Sequence, residues 1–353
     1  MKPAQTLHVS LLGTTLEITT DHGPTHGYLE HRLEGMATAG EGQAAVFSHI
    51  DVTRGAAASR AARDRAEAEG CSGSRRVLAR PGHVFMDRLS ALSGVTIDWR
   101  RSDDRVEQQT MLADGVVARL AKRMARHLPA TFHYEQLALF GGLYPLFYEA
   151  ERVGWHLLHA GLVDTPAGAI VLVGAAGGGK STLSMSLSCR PGCRLLSDNL
   201  VLYDGRQVCG IPEPVKLDAW SMSAVDCAGA LPRTNGADAG WNRREFALPE
   251  SAPPCRPVAV VLPQFAEESV ARRVAAARFT QLADSANHLA FEIDAYYRYA
   301  SALALGDVDG PAFGREAKLL EMAENTAIIE LSVRRGAPLD EAAAALERIL
   351  PGI

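Results

Sequence analysis

The apolar positions in the first part of the chain form short, irregular stretches. Residues 6–20 alternate loosely between apolar and polar side chains and are rich in β-branched residues, which predicts one or two short strands broken at Gly13. Residues 54–76 consist mainly of Ala, Arg and Glu, which predicts an exposed helix or a mobile connection with a solvated face. We therefore expect strands and helices to be mixed in this part of the chain.

Two helices are predicted before residue 150. Between residues 106 and 128, apolar side chains recur three to five positions apart with Arg and Lys between them, and Pro129 ends the pattern. Residues 134–150 are apolar on most sides, which predicts a deeply packed helix. Residues 1–150 are thus expected to form an N-terminal α+β module that ends in this helical bridge.

The sequence changes character at Gly154, where longer apolar runs begin. A strand over 155–163, a turn over 164–168 and a buried strand over 169–173 predict a hairpin. Further patterns predict strands at 194–196, 201–203, 207–209 and 258–262, and helices at 180–189, 284–305 and 340–350. This succession predicts a second domain over residues 151–353, of the α/β class.

One motif has a specific chemical meaning, and it lies between the second strand of this hairpin and the helix that follows. It fits the pattern G-x4-G-K-S/T and consists of Gly174, Ala175, Ala176, Gly177, Gly178, Gly179, Lys180, Ser181 and Thr182. Glycines allow backbone N–H groups to point at an anion, and the helix N-terminus adds partial positive charge. Lys180 is expected at the terminal phosphates and the Ser181 hydroxyl at Mg²⁺. Because a strand and a helix flank the loop, a glycine-rich loop that binds nothing is the weaker interpretation.

The sequence after the loop contains neither the signature of ABC-type ATPases nor the N-K-x-D motif of GTPases. Instead, Asp198 follows the loop after one short helix and one short strand. It is expected at the C-terminal end of the strand next to the loop strand, where ligands bind in open α/β sheets. A carboxylate there can bind Mg²⁺ or accept a proton from an attacking hydroxyl. The amide oxygen of Asn199 offers a further metal ligand.

A histidine is expected beside the loop from the arithmetic of the hairpin. If residues 164–168 form the turn, Val163 lies opposite Ala169 and His159 lies opposite Val173, at the mouth of the loop. A buried structural histidine is an equally good interpretation of His159.

The composition excludes several partners and sites. The chain has 353 residues and a net charge of −5, which gives no basic surface for nucleic acid. The N-terminus does not resemble a signal peptide, and no stretch reaches the ~18–20 apolar residues of a membrane span, which favours a cytoplasmic location. Of the six scattered cysteines, only Cys189 and Cys193 lie close together, so reduced, packed thiols are expected rather than a metal site.

The residues before, within and after the loop resemble a known family. The stretch Leu158-His159-Ala160, the loop GAAGGGKST and the stretch Leu195-Leu196-Ser197-Asp198-Asn199 are similar to the catalytic domain of HPr kinase/phosphorylase and its kinase relatives. That family shares its P-loop core with phosphoenolpyruvate carboxykinase. The resemblance is clearest over residues 154–217 and implies an α/β catalytic domain with this core. Residues 1–130 carry no matching motif and are expected to recognise the substrate.

The resemblance also implies roles for individual residues. Lys180 would hold the β- and γ-phosphates of ATP, Ser181 would bind Mg²⁺, and Asp198 would be the general base toward an acceptor hydroxyl. His159 stands where the family has a histidine before the loop strand. Asn199 stands where the family has a second aspartate, and because an amide carries no charge, weaker metal binding and a kinase without the reverse reaction are expected.

Four further polar residues are candidates for contacts with metal or substrate. Glu213 is a candidate to complete the metal shell and Lys216 to touch phosphate or substrate, in a segment that looks more like the small-substrate relatives. Arg243 and Arg244 form a basic spot that suits a phosphate or an acidic substrate. Solvation at the surface explains each of the four equally well or better.

These observations predict an ATP- and Mg²⁺-dependent kinase that transfers the γ-phosphate to a hydroxyl of a small molecule or of a peptide or protein serine. The alternative is a nucleotide-binding regulatory switch without phosphotransfer, which Asn199 and the unmatched N-terminal part favour. Carboxykinase chemistry rests on fold analogy alone. ATP, GTP and pyrophosphate stay open as donors. HPr kinases form rings, but nothing in this sequence marks an interface for a homo-oligomer.

Overall fold

The chain forms two compact units, each with its own large sheet. The computed structural model describes residues 4–39, 44–52, 55–88, 94–103, 105–112, 132–175, 177–224, 243–246, 251–311, 314–336 and 338–353. Unit 1 comprises residues 1–154 and 295–312, and unit 2 comprises residues 155–294 and 313–353. The segment 295–312, which the sequence analysis placed in the second domain, therefore belongs to unit 1. Within the described ranges there are ten helices, and the fold is of the mixed α/β class.

Unit 1 is built on a sheet of eight strands. They are β1 (Gln5–Leu11), β2 (Thr14–Thr20), β3 (Val46–Asp51), β4 (Ser72–Gly73), β5 (Val77–Arg80), β6 (His83–Asp87), β7 (Val95–Ser102) and β8 (Arg105–Leu112). The spatial order is β1-β2-β3-β8-β7-β6-β5-β4. The β2–β3 and β3–β8 pairs are parallel, and the other pairs are antiparallel. The two strands predicted on either side of Gly13 are confirmed.

Before residue 154, helices occur in two of the three regions for which a helix was considered, residues 54–76 and 134–150. They are α1 (Gly23–Arg32), α2 (Gly55–Ala68), α3 (Phe132–Ala138) and α4 (Tyr144–Arg152), with a 3-10 turn (Glu34–Met36) and a π-helical turn (Leu139–Leu143). In α2, Ala62 and Ala66 are buried against Phe85 and Met111, so one face of this Ala-rich helix packs on the sheet. The predicted helix over 134–150 is confirmed as α3, the π-helical turn and α4.

The helix predicted over residues 106–128 is wrong for the part that the structure describes. Arg105–Leu112 is strand β8, and residues 113–131 lie outside the described ranges. β8 is paired with β3 on one side and with β7 on the other. Because both edges of β8 are hydrogen-bonded in the sheet, tertiary pairing overrides the helical spacing of the apolar residues.

Unit 2 contains a second large sheet and a small ladder. The strands are β9 (His156–Thr165), β10 (Gly168–Val173), β11 (Arg194–Ser197), β12 (Leu200–Tyr203), β13 (Val208–Gly210), β14 (Val215–Asp218), β15 (Arg243–Phe246), β16 (Pro257–Ala266), β17 (Val270–Arg273) and β18 (Ala327–Arg334). The large sheet has the order β13-β12-β9-β10-β16-β18-β17, and β11 also pairs with β9. β10, β16 and β18 are parallel, and β14 pairs with β15 alone. The predicted strands of this unit are confirmed.

Helices pack on both faces of the large sheet in unit 2. The remaining helices of the described residues are α5 (Lys180–Ser188), α6 (Ala219–Ala224), α7 (Ala276–Leu289), α8 (Phe291–Leu303), α9 (Arg315–Asn325) and α10 (Leu339–Glu347). Most of α8 belongs to unit 1. Apolar residues of α5 and α10 share one core with Ile170 and Leu172, whereas those of α7 and α9 share another with Val171 and Val173. The alternation along β10 therefore places a helix layer on each face of the sheet.

Two expectations are corrected outside the site. The helix predicted over 284–305 is divided into α7 and α8, because Ala290 has an extended backbone. Cys189 is disulfide-bonded, although reduced thiols were expected, because the spacing of cysteines does not show which of them packing brings together. Cys71, Cys193, Cys209 and Cys255 are free. None of the helices in the described ranges is both long and apolar enough to cross a membrane.

Candidate functional site

Glycine determines the shape of the loop between β10 and α5. Gly177 and Gly179 have positive φ angles of 76° and 86°, which residues with a Cβ rarely adopt. The N–H of Gly178 donates to the carbonyl oxygen of Ala175 at 3.1 Å, and a Cβ at position 178 would lie 3.0 Å from the same oxygen. These glycines permit the tight turn that leads into α5. Ala176 lies outside the described ranges.

Lys180 begins α5 and is almost fully buried at the loop. Its Nζ donates hydrogen bonds to the carbonyl oxygens of Gly174 at 2.7 Å and Ala175 at 3.3 Å. Burial lowers the pKa of Lys180 to about 8, and the negative charge of Asp198 opposes this shift. The ammonium group is therefore held at the start of the loop in a poorly solvated position, where its attraction to an anion is strong.

Asp198 lies at the same edge of the sheet as the loop, but one strand farther away than predicted. β11 ends at Ser197 and pairs with β9, not with β10, so β9 separates it from the loop strand. The predicted neighbour is wrong because β9 is long enough to pair with β10 along one side and with β11 and β12 along the other. Since β10 and β11 are both antiparallel to β9, their C-terminal ends lie at the same edge.

Ser184 connects the loop helix to Asp198. Its side chain is fully buried, and its Oγ lies 3.2 Å from Oδ1 of Asp198 and 3.1 Å from the carbonyl oxygen of Ser181. A Cβ at Gly161 of β9 would lie 3.5 Å from the Cβ of Ser184, so the glycine lets α5 approach the strand. Sequence reasoning missed Ser184, because several hydroxyl residues occur in α5 and spacing does not distinguish one of them.

His159 lies level with the start of the loop, in a pairing shifted by one residue from the predicted one. Val173 pairs with Ala160, because β9 continues to Thr165 and leaves a turn of two residues before β10. On its other side His159 pairs with Leu200. Burial, together with the positive charge of Lys180, lowers the pKa of His159 to about 4, so the imidazole is neutral at pH 7.

Asn287 of α7 holds the backbone of β9 at His159. Its Oδ1 accepts a hydrogen bond from the His159 N–H at 2.7 Å, and its Nδ2 donates to the carbonyl oxygen of Leu157 at 3.3 Å. The ring atom Nδ1 of His159 is buried and has no hydrogen-bond partner among the described residues. Sequence reasoning gave no signal for Asn287, since 128 residues separate it from His159.

Asn199 follows Asp198 directly and is hydrogen-bonded to Glu213. Nδ2 of Asn199 donates to Oε2 of buried Glu213 at 3.4 Å. In the part of the chain that the structure describes, no group of three His, Cys, Asp or Glu side chains could hold a metal ion. Magnesium at nucleotide sites is bound through one or two protein oxygens together with phosphates and water. Ser181, Asp198 and Asn199 each carry an oxygen of the kind that Mg²⁺ takes as a ligand.

Ser181 and Thr182 follow Lys180 at the N-terminal end of α5. Ser181 is partly buried. Oγ1 of Thr182 lies 3.1 Å from Oγ of Ser221, whose backbone N–H donates to Oδ1 of Asp218 at 2.7 Å. Thr182 thus connects α5 to α6, a contact that the motif does not reveal.

The basic residues proposed as substrate contacts lie on the small ladder. Lys216 of β14 is opposite Glu245 of β15, with its Nζ 4.0 Å from Oε1 of the glutamate. Arg244 is exposed, and Arg243 stands opposite Asp218 in the register of the two strands. The structure therefore groups these three basic positions on a different sheet from the one that carries the loop.

Comparison with models of known protein families gives no match, and a search of curated proteins gives none either. The support for a function therefore comes from the residues of this chain and their geometry.

Proposed function

We propose that the chain is a kinase of HPr kinase-like P-loop architecture, which binds ATP and Mg²⁺ at residues 174–182 and transfers the γ-phosphate to a hydroxyl. The observation that carries this proposal is the hydrogen bond of 3.2 Å from Oγ of Ser184 to Oδ1 of Asp198, which holds this carboxylate against the helix that begins with Lys180. Phosphoryl transfer needs a cation for the phosphate oxygens and a group that positions the nucleophile. Lys180 and Asp198 supply both within reach of one loop.

The proposed mechanism assigns one task to each residue. Lys180 binds the terminal phosphate oxygens and stabilises the charge that develops on them. Asp198 orients the acceptor hydroxyl and takes its proton as the new O–P bond forms, while the bond from the γ-phosphorus to the bridging oxygen breaks and ADP leaves. Ser181, Asp198 and Asn199 would hold Mg²⁺, which when bound would neutralise phosphate charge. His159, neutral at pH 7, offers a hydrogen-bonding nitrogen beside Lys180.

The test is the substitution Asp198→Ala, with acceptor-dependent ADP release as the measurement. Loss of a general base lowers turnover by ~10²–10⁴. The assay uses ATP and Mg²⁺ with a panel of hydroxyl acceptors, namely free serine, glycerol and a serine-containing peptide. Asp164→Asn is a matched control, because Asp164 lies on β9 at the hairpin end and not at the loop edge. If Asp198→Ala keeps its turnover within about threefold of wild type, the assigned role is contradicted, because the loss of a general base lowers turnover far more than this.

A nucleotide-binding switch without phosphotransfer is the second candidate. It is favoured by Asn199, an uncharged amide at the position where the family has the second acid of its pair. The Nδ2 group of this amide donates to Glu213. Calorimetric titration with ATP and Mg²⁺, run beside the same ADP-release assay, separates the two. Tight ATP binding without turnover for any acceptor supports the switch and contradicts the kinase.

A further inference from the structure

A polar cleft of about 430 Å³ lies on one face of the eight-stranded sheet in unit 1. Its floor consists of β2, β3, β8 and β7, and α2 borders it on one side. One row of side chains crosses the floor from strand to strand, because Glu17, Phe47, Glu107 and Arg100 stand opposite one another in the register. A cleft of this volume is of the size that holds small organic ligands.

The β7 end of the cleft carries an excess of positive charge. Nη2 of Arg65 lies 3.4 Å from Oδ2 of Asp98, and Nη2 of Arg100 lies 3.7 Å from the same oxygen. Arg100 and Arg80 both bind Glu69, at 3.0 and 3.1 Å. Three guanidinium groups thus share two carboxylates. Because the side chain of Arg65 is 55% exposed and that of Arg100 37%, both are accessible to an anionic ligand.

The β2 end of the cleft carries an uncompensated carboxylate. Glu17 lines the cleft and is partly buried, and none of the residues that the structure describes forms a hydrogen bond or an ion pair with its side chain. His8 stands opposite it on β1, but no ion pair joins the two. Since a partly buried carboxylate is less well solvated than one in water, its attraction to a cationic ligand is stronger.

The charged groups in the middle of the cleft are paired. Glu107 is bound to Arg105 at 2.9 Å, and the guanidinium carbon of Arg105 lies 4.0 Å from the centroid of the Phe47 ring. On the neighbouring row, Oγ1 of Thr19 is hydrogen-bonded to Nδ1 of His49 at 2.9 Å. A ligand of this cleft is therefore recognised mainly by charges at its two ends.

The distance between the two ends limits the size of the ligand. β2 and β7 are three places apart in the sheet, which corresponds to roughly 14 Å. A single α-amino acid cannot reach both ends, because only one carbon atom separates its charges. An extended peptide advances by about 3.3–3.6 Å per residue, so three or four residues span roughly 10–14 Å.

We propose that this cleft binds a short peptide with free termini, which places its ammonium group at Glu17 and its carboxylate at Arg65 and Arg100. The peptide crosses the strands over Phe47, whose ring and polar neighbours offer contacts that do not depend on one side-chain type. This site is separate from the proposed function at the loop, because all of its residues belong to unit 1.

The test is calorimetric titration of trialanine into the full-length chain, beside two analogues that each lack one charge, N-acetyl-trialanine and trialanine amide. Wild type should bind trialanine about tenfold more tightly than either analogue, because each analogue loses a charge-assisted contact. Glu17→Gln should weaken trialanine binding by about tenfold and leave the binding of N-acetyl-trialanine unchanged. Arg65→Gln should weaken trialanine binding by about threefold, since Arg100 remains, and leave the binding of trialanine amide unchanged.

Arg63→Gln is the matched control for the substitution on α2. Arg63 is bound to Glu67 at 2.9 Å and is not part of the cleft lining, so this variant should bind trialanine as wild type does. Circular dichroism melting of each variant confirms that it is folded before titration.

Wild-type protein that binds trialanine no better than its two analogues overturns the inference. A Glu17→Gln variant that loses affinity for trialanine and N-acetyl-trialanine alike also overturns it, because the substitution would then act through the shape of the cleft and not through the ammonium group. ATP affinity of the Glu17→Gln and Arg65→Gln variants should equal that of wild type. Titration of wild type with ATP tests the proposed function separately, so the failure of one does not imply the failure of the other.

Discussion

Two buried sites, one in each unit, hold titratable side chains in opposite ways. In unit 1, His83 and Asp98 are almost fully buried and face each other, with Nε2 of the imidazole 2.6 Å from Oδ1 of the carboxylate. Nδ1 of the same ring lies 3.2 Å from Oε2 of Glu69. In unit 2, Lys180 is bound to backbone carbonyls, and the pKa values of Lys180 and His159 are both lowered. The buried side chains of the unit 1 site are hydrogen-bonded to one another, whereas burial at the loop of unit 2 disfavours the charged forms of Lys180 and His159.

Cys71 shows why this difference matters for assigning function. Its Sγ lies 3.3 Å from Nδ1 of His83, so Cys71, His83 and Asp98 form a line similar to a nucleophilic triad. However, Cys71 is buried in an apolar cluster, and burial raises the pKa of its thiol. Reactive thiols are exposed and have lowered pKa values. The line of side chains in unit 1 is therefore structural, in contrast to the basic groups at the loop.

The largest effect on stability is expected from Asp98→Ala. It removes the carboxylate at Nε2 of the buried His83 ring and leaves Glu69 at Nδ1, and breaking a buried pair lowers the free energy of unfolding by about 3–5 kcal/mol. ATP affinity of the folded protein should be unchanged. Urea denaturation measures the first effect and calorimetry the second. Asp64→Ala on α2 is the control, because Asp64 is exposed. A loss no larger than that of the control contradicts the structural role of the pair.

Lys180→Ala is expected to lower turnover and to leave stability at pH 7 unchanged, the opposite of Asp98→Ala. Removing the cation lowers turnover by ~10²–10³, as for the loss of one group that stabilises transition-state charge. Stability at pH 7 should not fall, because a folded-state pKa of about 8 against an ordinary 10.5 means that burial disfavours the charged lysine. The unfolded chain binds more protons between these values, so wild-type stability rises with pH from 8 to 10.5, and the variant lacks this rise. Denaturation across that pH range checks the prediction, and a variant less stable than wild type at pH 7 refutes it.

A somewhat smaller effect is expected from His159→Gln at acidic pH. The folded-state pKa of about 4 lies below the ordinary 6.5, so the unfolded chain takes up a proton first as the pH falls. Wild type therefore loses up to about 3 kcal/mol between pH 6.5 and 4 through this group. The variant should lose correspondingly less, as measured by the difference between the two denaturation midpoints at each pH. Parallel curves for the two proteins would place His159 in a solvated position.

The loop and Asp198 could be identified from sequence because their signals are local. The glycines, Lys180 and Ser181 lie within one turn between a strand and a helix, and one helix and one strand separate them from Asp198. Pairing was harder to predict, because register depends on distant partners. The apolar residues after Val106 have helical spacing, but the segment is a strand paired on both sides. The predicted register of the hairpin at His159 was wrong by one residue.

Contacts over long sequence distances were not predicted at all. Asn287 reaches β9 from α7, and Phe265 and Trp220 come to the loop from separate elements. None of these residues lies within a sequence motif that would indicate its contact with the loop or with β9. The loop motif is thus visible in the sequence, whereas the groups that position the neighbouring strands are visible only in the fold.

The smallest effect is expected from Asp164→Asn, five residues after His159 on the same strand. Asp164 is bound to Arg194 at 2.8 Å, but both side chains are substantially exposed, at 35% and 62%. Exposed ion pairs contribute ~0–1 kcal/mol, so stability should change by no more than this, and by less at high salt. Turnover should be unaffected. Asp164 and His159 both lie on β9, Asp164 at its hairpin end and His159 level with the phosphate-binding loop. This variant therefore tests whether a substitution on β9 affects turnover when it lies away from the loop. A loss of turnover comparable to that of Asp198→Ala would show that charge anywhere along β9 controls the reaction, and would remove the basis for placing the chemistry at the carboxyl edge.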